Sequence, residues 1–261
     1  MYLRFSVKSV CLQKTMEVHA LLPFGDGYPD TPAPWPTLYF LPGYSGNAED
    51  LLYALPLRKC CAKTGIAVVL SDGDNSFYTD HPERSASYRQ FFGEELVAVS
   101  RRLIPGLSAR REDTFIGGIS MGGYGACITG LTRPETFSRI AMLSPAIDAE
   151  DLLLSDRPPL PGSIPPSVFD AIFGTRENYH TAAFDPLIRI AEMKEQQIPL
   201  PRMFACCGNE DVLVRKAYDR FVRELAKMEV PLVHEESPGI HDYPYWDTQI
   251  GRAFDFLKTG E

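Results

Sequence analysis

Gly118-Ile119-Ser120-Met121-Gly122 is the stretch of this chain with most capacity for chemistry. A serine between a short apolar strand and a helix, with glycines on both sides, fits a turn too tight for flanking side chains. Its hydroxyl points outward, and the N–H groups that open the helix surround it with positive dipole suited to an anionic intermediate. Thr114-Phe115-Ile116 before the motif and Tyr124-Gly125-Ala126-Cys127-Ile128 after it supply that strand and helix. On the five residues alone, a plain packing turn is an equal reading.

A serine hydroxyl attacks poorly until a neighbouring base takes its proton and a carboxylate holds that base in the right tautomer. The chain has five histidines. His19 falls in an edge hairpin, His81 and His180 in loops, and His234 inside a strand. His241 alone follows the last strand in a loop from which a base could reach the elbow. An imidazole, with a reference pKa of about 6.5, is mostly neutral at pH 7 and able to act as base. Asp211, in the loop after the penultimate strand, is the favoured acid and completes a Ser, Asp, His chain order. Glu210 beside it and Asp148 after an earlier strand are its rivals. The backbone N–H groups of Met121 and of Tyr44, after the Leu41-Pro42-Gly43 turn, are expected to stabilise tetrahedral charge.

Positioning these residues takes alternating strands and helices. Phe5 to Val10 and Thr15 to Leu22 alternate apolar and polar residues, as in an antiparallel hairpin at a sheet edge. Gly25 to Pro36 is a Pro- and Gly-rich loop. Thr37 to Leu41, Ile66 to Leu70, Thr114 onward, Arg139 to Leu143, Met203 to Cys207 and Pro231 to Glu235 read as strands, mostly continuous apolar runs covered on both faces. Helices are expected over Leu51 to Lys63, Tyr88 to Leu103, the stretch after Ser120, Val212 to Met228 and Tyr245 to Leu257. The polar and aromatic loop Ser71 to Tyr78 follows a strand, at the edge where open α/β sheets bind ligands. Residues 150 to 180, with Pro158, Pro159, Pro161, Pro165 and Pro166, break the rhythm and are expected to form a lid or cap inserted over the strand ends. Without repeats or a long linker, residues 1 to 261 are expected to form one doubly wound α/β domain.

Composition narrows the remaining classes. A net charge of −8 and a pI near 5.2, with scattered Lys and Arg, argue against a nucleic-acid partner. No run approaches the ~20 apolar residues of a membrane helix, and the N-terminus lacks the apolar core of a signal peptide. A cytoplasmic protein, or one whose leader has been removed, is expected. The six cysteines include the adjacent pairs Cys60-Cys61 and Cys206-Cys207 and no Cys-x-x-Cys. They are expected to be reduced and buried. Without a Gly-x-x-x-x-Gly-Lys loop, a complete dinucleotide fingerprint or a His-Glu-x-x-His, neither cofactor nor metal is expected. A small molecule is the expected partner, and a homo-oligomer stays compatible with the composition.

Five stretches, LPGYSGNAEDLL, SDGDNSFYTD, GGISMGGYGA, CCGNEDVL and PGIHDYPYWD, come in one order across nearly the whole chain. Together they resemble the esterase branch of the α/β-hydrolases, which includes tributyrin esterases, feruloyl esterases, esterase D (S-formylglutathione hydrolase) and the mycolyltransferases. The resemblance implies an α/β-hydrolase fold with a mostly parallel central sheet, an antiparallel N-terminal edge hairpin and helices on both faces. It implies Ser120 as nucleophile, Asp211 as acid, His241 as base, and Tyr44 and Met121 as oxyanion donors. Ser76, Phe77 and Tyr78 would line the cleft, and Trp246 would face the acyl side. The implied activity is that of a serine carboxylesterase on short acyl or hydroxycinnamoyl esters through an acyl-enzyme. LPGYSGN looks more like the tributyrin esterase version of the first oxyanion loop, which leaves S-formylglutathione hydrolysis as the alternative. An acyltransferase or a ligand-binding use of the same scaffold is the reading from another class.

Overall fold

The computed structural model describes residues 1–25, 31–154 and 164–261. Strands β1 (Tyr2–Lys8), β2 (Thr15–Leu21), β3 (Thr37–Leu41) and β4 (Ala67–Ser71) precede a two-residue ribbon of β5 (Asp80–His81) and β6 (Ala86–Ser87). After it come β7 (Thr114–Ile119), β8 (Arg139–Leu143), β9 (Arg202–Gly208) and β10 (Leu232–Ser237). The large sheet has the order β1-β2-β4-β3-β7-β8-β9-β10. From β4 onward every pairing is parallel, while β2 runs antiparallel to both β1 and β4. This is the mostly parallel sheet with an antiparallel edge hairpin that the sequence implies.

Helices cover both faces because successive strand residues point opposite ways. Leu38 and Phe40 of β3 join a core formed with α1 (Ala48–Ala54), α2 (Leu57–Thr64) and, at the chain's end, the last helix; Tyr39 and Leu41 join the core on the other side. The same alternation sends Cys206 to one face and Cys207 to the other. Burial pushes the Cys206 thiol up to about 12 and that of Cys207 higher still, so both pack as small apolar groups.

The second face carries α3 (Tyr88–Gln90), a π-helical Phe91–Glu95, α4 (Leu96–Leu103) and α5 (Met121–Thr132). α6 (Ala149–Leu154), α7 (Ser167–Phe173), α8 (Arg176–Tyr179) and α9 (Pro186–Glu195) follow, then α10 (Arg215–Lys227) and α11 (Tyr243–Thr259). Within the proline-rich region, Pro158, Pro159 and Pro161 lie outside the described residues. The helix after them, α7, is tied down by aromatic contacts, with Phe173 packing edge-on against Phe77 and Tyr124 at 5.5 and 6.2 Å.

Several expected boundaries are corrected. The helix expected over Leu51 to Lys63 is two, because Pro56 has no N–H to continue the first and instead opens the second. The first strand starts at Tyr2 rather than Phe5, and the last runs to Ser237. α10 begins at Arg215, since the Asp211 carboxylate engages the amides of Leu213 and Val214 in a turn ahead of it. α9 is an added element, and its signal is present in Asp185-Pro186, an N-cap followed by proline at the first helical position.

Candidate active site

The six loops that matter all leave the carboxyl ends of parallel strands, where a doubly wound sheet opens a crevice. Ser120 follows β7 and holds φ 53°, ψ −118°, a strained conformation for a residue with a side chain. Its N–H donates to the Leu143 carbonyl at 2.9 Å and its carbonyl accepts from Tyr124 and Ala146, so both neighbouring elements hold the strain. Gly122 is required here: a Cβ on it would stand 2.1 Å from the Leu41 carbonyl oxygen, where α5 and the end of β3 touch backbone to backbone.

His241 joins the serine to the acid. Its Nε2 lies 2.8 Å from Ser120 Oγ and its Nδ1 lies 2.7 Å from Asp211 Oδ2. The Asp211 side chain is fully enclosed, and its other oxygen accepts from the Leu213 and Val214 amides at 3.1 and 3.2 Å. The loops bearing them are laced together by Asn209 N–H to the Ser237 carbonyl and Glu210 N–H to the Gly239 carbonyl. Asp242, the next residue after His241, caps α11 by accepting from the Tyr245 amide, which fixes the imidazole at the helix entrance.

The rival acids are engaged elsewhere. Glu210 accepts from the Gly239 amide at 2.6 Å and so braces the histidine loop. Asp148 pairs with Arg220 at 2.7 Å and accepts from the Asp151 amide.

Among the described residues, the amide nitrogens of Tyr44 and Met121 donate to no backbone or side-chain acceptor. Met121 opens α5, where orphan N–H groups and the helix dipole point the same way. Gly43 passes so close to Ser120 that a Cβ on it would stand 3.5 Å from the serine Cβ. The array therefore offers a hydroxyl, a base in contact with it, an acid behind the base, and two free amides on the loop and helix that meet at the serine. Such a set can attack an acyl carbon and stabilise the resulting oxyanion.

The Ser71 to Tyr78 loop does something the sequence did not indicate. Asp72 Oδ1 accepts from the Ala48 amide at 2.8 Å, Asn75 Oδ1 from the Ser45 amide at 2.7 Å, and the Tyr78 hydroxyl donates to the Pro42 carbonyl at 2.7 Å. Ser76, Phe77 and Tyr78 were expected in the cleft wall. Phe77 and Tyr78 are instead wholly buried, and the Ser76 hydroxyl is turned back to the Gly73 carbonyl. Burial, then the charges of Asp72 and Asp74, hold the Tyr78 phenol well above its usual range, so it stays a donor. Trp246 is also buried. Its ring meets His241 edge-on at 5.1 Å and its indole N–H donates to Ser144 Oγ at 3.0 Å, which supports the imidazole from below.

A sheet of this topology with a serine elbow between β7 and α5 defines an α/β-hydrolase of the serine type. The sequence profile described as "Putative esterase" matches residues 9–257, and the chain belongs to that family. It is 31% identical over 222 residues to an acetyl esterase of Caldicellulosiruptor saccharolyticus, covering 85% of this chain and 83% of that one. Among solved structures it resembles FphF, a fluorophosphonate-binding serine hydrolase of Staphylococcus aureus, with a TM-score of 0.84 and 26% identity over 99% of this chain and 98% of that one. The S-formylglutathione hydrolase FrmB of Staphylococcus aureus gives a TM-score of 0.83 at 26% identity, covering 99% of each chain. The protein is thus an ester hydrolase. Among the described residues, no helix is long and apolar enough to cross a membrane.

Proposed function

We propose that this chain is a serine carboxylesterase acting on short acyl or hydroxycinnamoyl esters of small molecules through an acyl-enzyme. Ser120 is the nucleophile, His241 the base and Asp211 the acid that orients it. The observation that carries this is the unbroken hydrogen-bonded array from Ser120 Oγ through His241 to the enclosed Asp211 carboxylate. His241 takes the hydroxyl proton as Ser120 attacks the carbonyl carbon. The Tyr44 and Met121 amides stabilise the oxyanion, and the imidazolium returns the proton to the leaving alkoxide. Water then repeats the sequence on the acyl-serine and releases the acid.

The chain reads as one domain, with the segment over 150 to 180 as a cap. The packing of Phe173 on Phe77 and Tyr124 supports a role for that segment in bounding the acyl side. A thioesterase on S-formylglutathione is the second reading, favoured by the likeness to FrmB along the whole chain.

The test is hydrolysis of p-nitrophenyl acetate, p-nitrophenyl butyrate, methyl ferulate and S-formylglutathione by the wild type and Ser120→Ala. Turnover of the oxygen esters lost in the alanine variant supports the proposal. Turnover confined to the thioester favours the second reading, and retained activity in Ser120→Ala removes both.

A further inference from the structure

Away from the serine, histidine and aspartate array, a cleft of about 320 Å³ opens between the β1–β2 edge of the sheet and the first two helices. It is lined by Tyr2, Leu21, Glu49, Leu52, Tyr53 and Arg58. Its volume falls at the lower end of small-molecule sites, roughly 300 to 1,000 Å³.

Two walls of the cleft are set by contacts within the protein. The Tyr2 hydroxyl and His19 Nδ1 lie 2.7 Å apart, and the two rings stack with centres 6.0 Å apart and planes 22° from parallel. The Arg58 guanidinium carbon lies 6.0 Å from the centre of the Tyr2 ring. Opposite them, Glu49 pairs with Arg4 at 3.0 Å, and Arg4 pairs in turn with Glu17 at 2.6 Å. Groups placed before a ligand arrives lower the ordering cost of binding it. Tyr53 differs. At 95% exposure it is the most exposed large apolar side chain among the described residues, so its ring is open to a ligand.

The lining selects by chemistry. Glu49 and Arg58 carry opposite charges, and Arg4 and Glu17 beside them form another opposite pair, so the cleft has no net charge with which to hold an ion. A carboxylate only accepts hydrogen bonds and a guanidinium only donates them. A ligand that serves both must offer donors and acceptors side by side, which neighbouring hydroxyls do because each is both. Leu21, Leu52 and the Tyr53 ring require an apolar face as well. A sugar ring has that combination, a rim of hydroxyls around a face of C–H groups.

We propose that this cleft binds a neutral saccharide, with its C–H face on Tyr53 and its hydroxyls shared between Glu49 and Arg58. An acylated sugar is an ester of the kind the candidate active site would cleave; that link, unlike the cleft, rests on the esterase reading.

The test uses the intact protein and reads no hydrolysis. Glucose, xylose, cellobiose and xylobiose are titrated into the wild type while the ring resonances of Tyr53 and Tyr2 are followed by NMR. A saturable shift at both rings is expected. In Tyr53→Ala the affinity read from Tyr2 should fall about tenfold or more. Tyr53 is exposed enough for its truncation to leave the melt unchanged, and the wild-type titration answers the question by itself. Tighter binding of the disaccharides than of the monosaccharides supports the site with a glycan chain as its ligand, and equal affinities support it with a free sugar. Unchanged affinity in Tyr53→Ala, or shifts near His241 with none at Tyr53, overturn the site. A response to ferulate or acetate and to none of the sugars overturns the saccharide assignment, and rings that ignore every sugar overturn the proposal altogether.

Discussion

The Tyr78 hydroxyl donates to the Pro42 carbonyl at 2.7 Å, tying a buried ring on one strand-end loop to the backbone that leads into the Tyr44 amide. The loop after β4 thereby positions the loop after β3, and the Tyr44 amide, the proposed oxyanion donor, inherits its place from a buried ring. Tyr78→Phe keeps the ring and removes the bond. Stability should fall by about 1 kcal/mol, and kcat roughly tenfold with KM little changed, because a loosened donor matters most in the transition state. Steady-state kinetics with p-nitrophenyl butyrate and a thermal melt check both numbers.

The same ring accounts for a glycine inside a helix. A Cβ on Gly125 would stand 2.1 Å from Tyr78 Cδ2, so Gly125→Ala must displace the ring or the helix. The cost should be about 1 to 3 kcal/mol, read as a drop of several degrees in Tm. If the alanine variant melts like the wild type, the ring is not confined as described.

Asp211→Asn retains an oxygen for the Leu213 and Val214 amides but presents the wrong partner to His241 Nδ1. Activity should drop about 10⁴-fold with the melt nearly unchanged. Glu210→Gln and Asp148→Asn should each cost no more than about tenfold, since neither touches the imidazole. A larger loss in either than in Asp211→Asn would reassign the acid.

Stability should carry a pH signature from Glu95. Its carboxylate accepts from Ser9 Oγ at 2.7 Å and from the amides of Val10 and Cys11 at 2.6 and 3.0 Å, pinning the turn of the β1–β2 hairpin. Partial burial pushes its pKa up, but these hydrogen bonds outweigh that and hold it below the ordinary 4.5. The folded form thus binds its proton later than the unfolded one. The stabilisation is complete above 4.5 and lost as pH falls through the lower folded value. Glu95→Gln should cost about 1 kcal/mol at pH 7, a figure kept small because the group is largely solvated. Urea titrations at pH 7 and near pH 3 should show the gap between wild type and variant closing.

How much of this could be read in advance follows from which signals are local. Gly118 and Gly122 flank Ser120 because only backbone fits there, and that constraint is written within five residues. Asp211 and His241 were legible because each follows an apolar strand, and parallel strands deliver their following loops to one edge. The role of Tyr78 was not. Its partner Pro42 is 36 residues away, and that β3 and β4 are neighbours is a fact of sheet order that no local pattern carries. Trp246 was expected to face substrate for the same reason: an aromatic residue near the histidine looks alike from either side of it. The break at Pro56 and the start of α9 at Asp185-Pro186 had visible local signals, and the π-helical turn at Phe91–Glu95 had none.

Covalent labelling tests the central claim most directly. A fluorophosphonate reagent reacts with a serine only when its hydroxyl is activated, and the adduct is located by peptide mass spectrometry. One adduct per chain, on Ser120, is predicted for the wild type, with labelling slowed at least about 10³-fold in His241→Ala. A label on another residue, or equal labelling of the two proteins, would contradict the account.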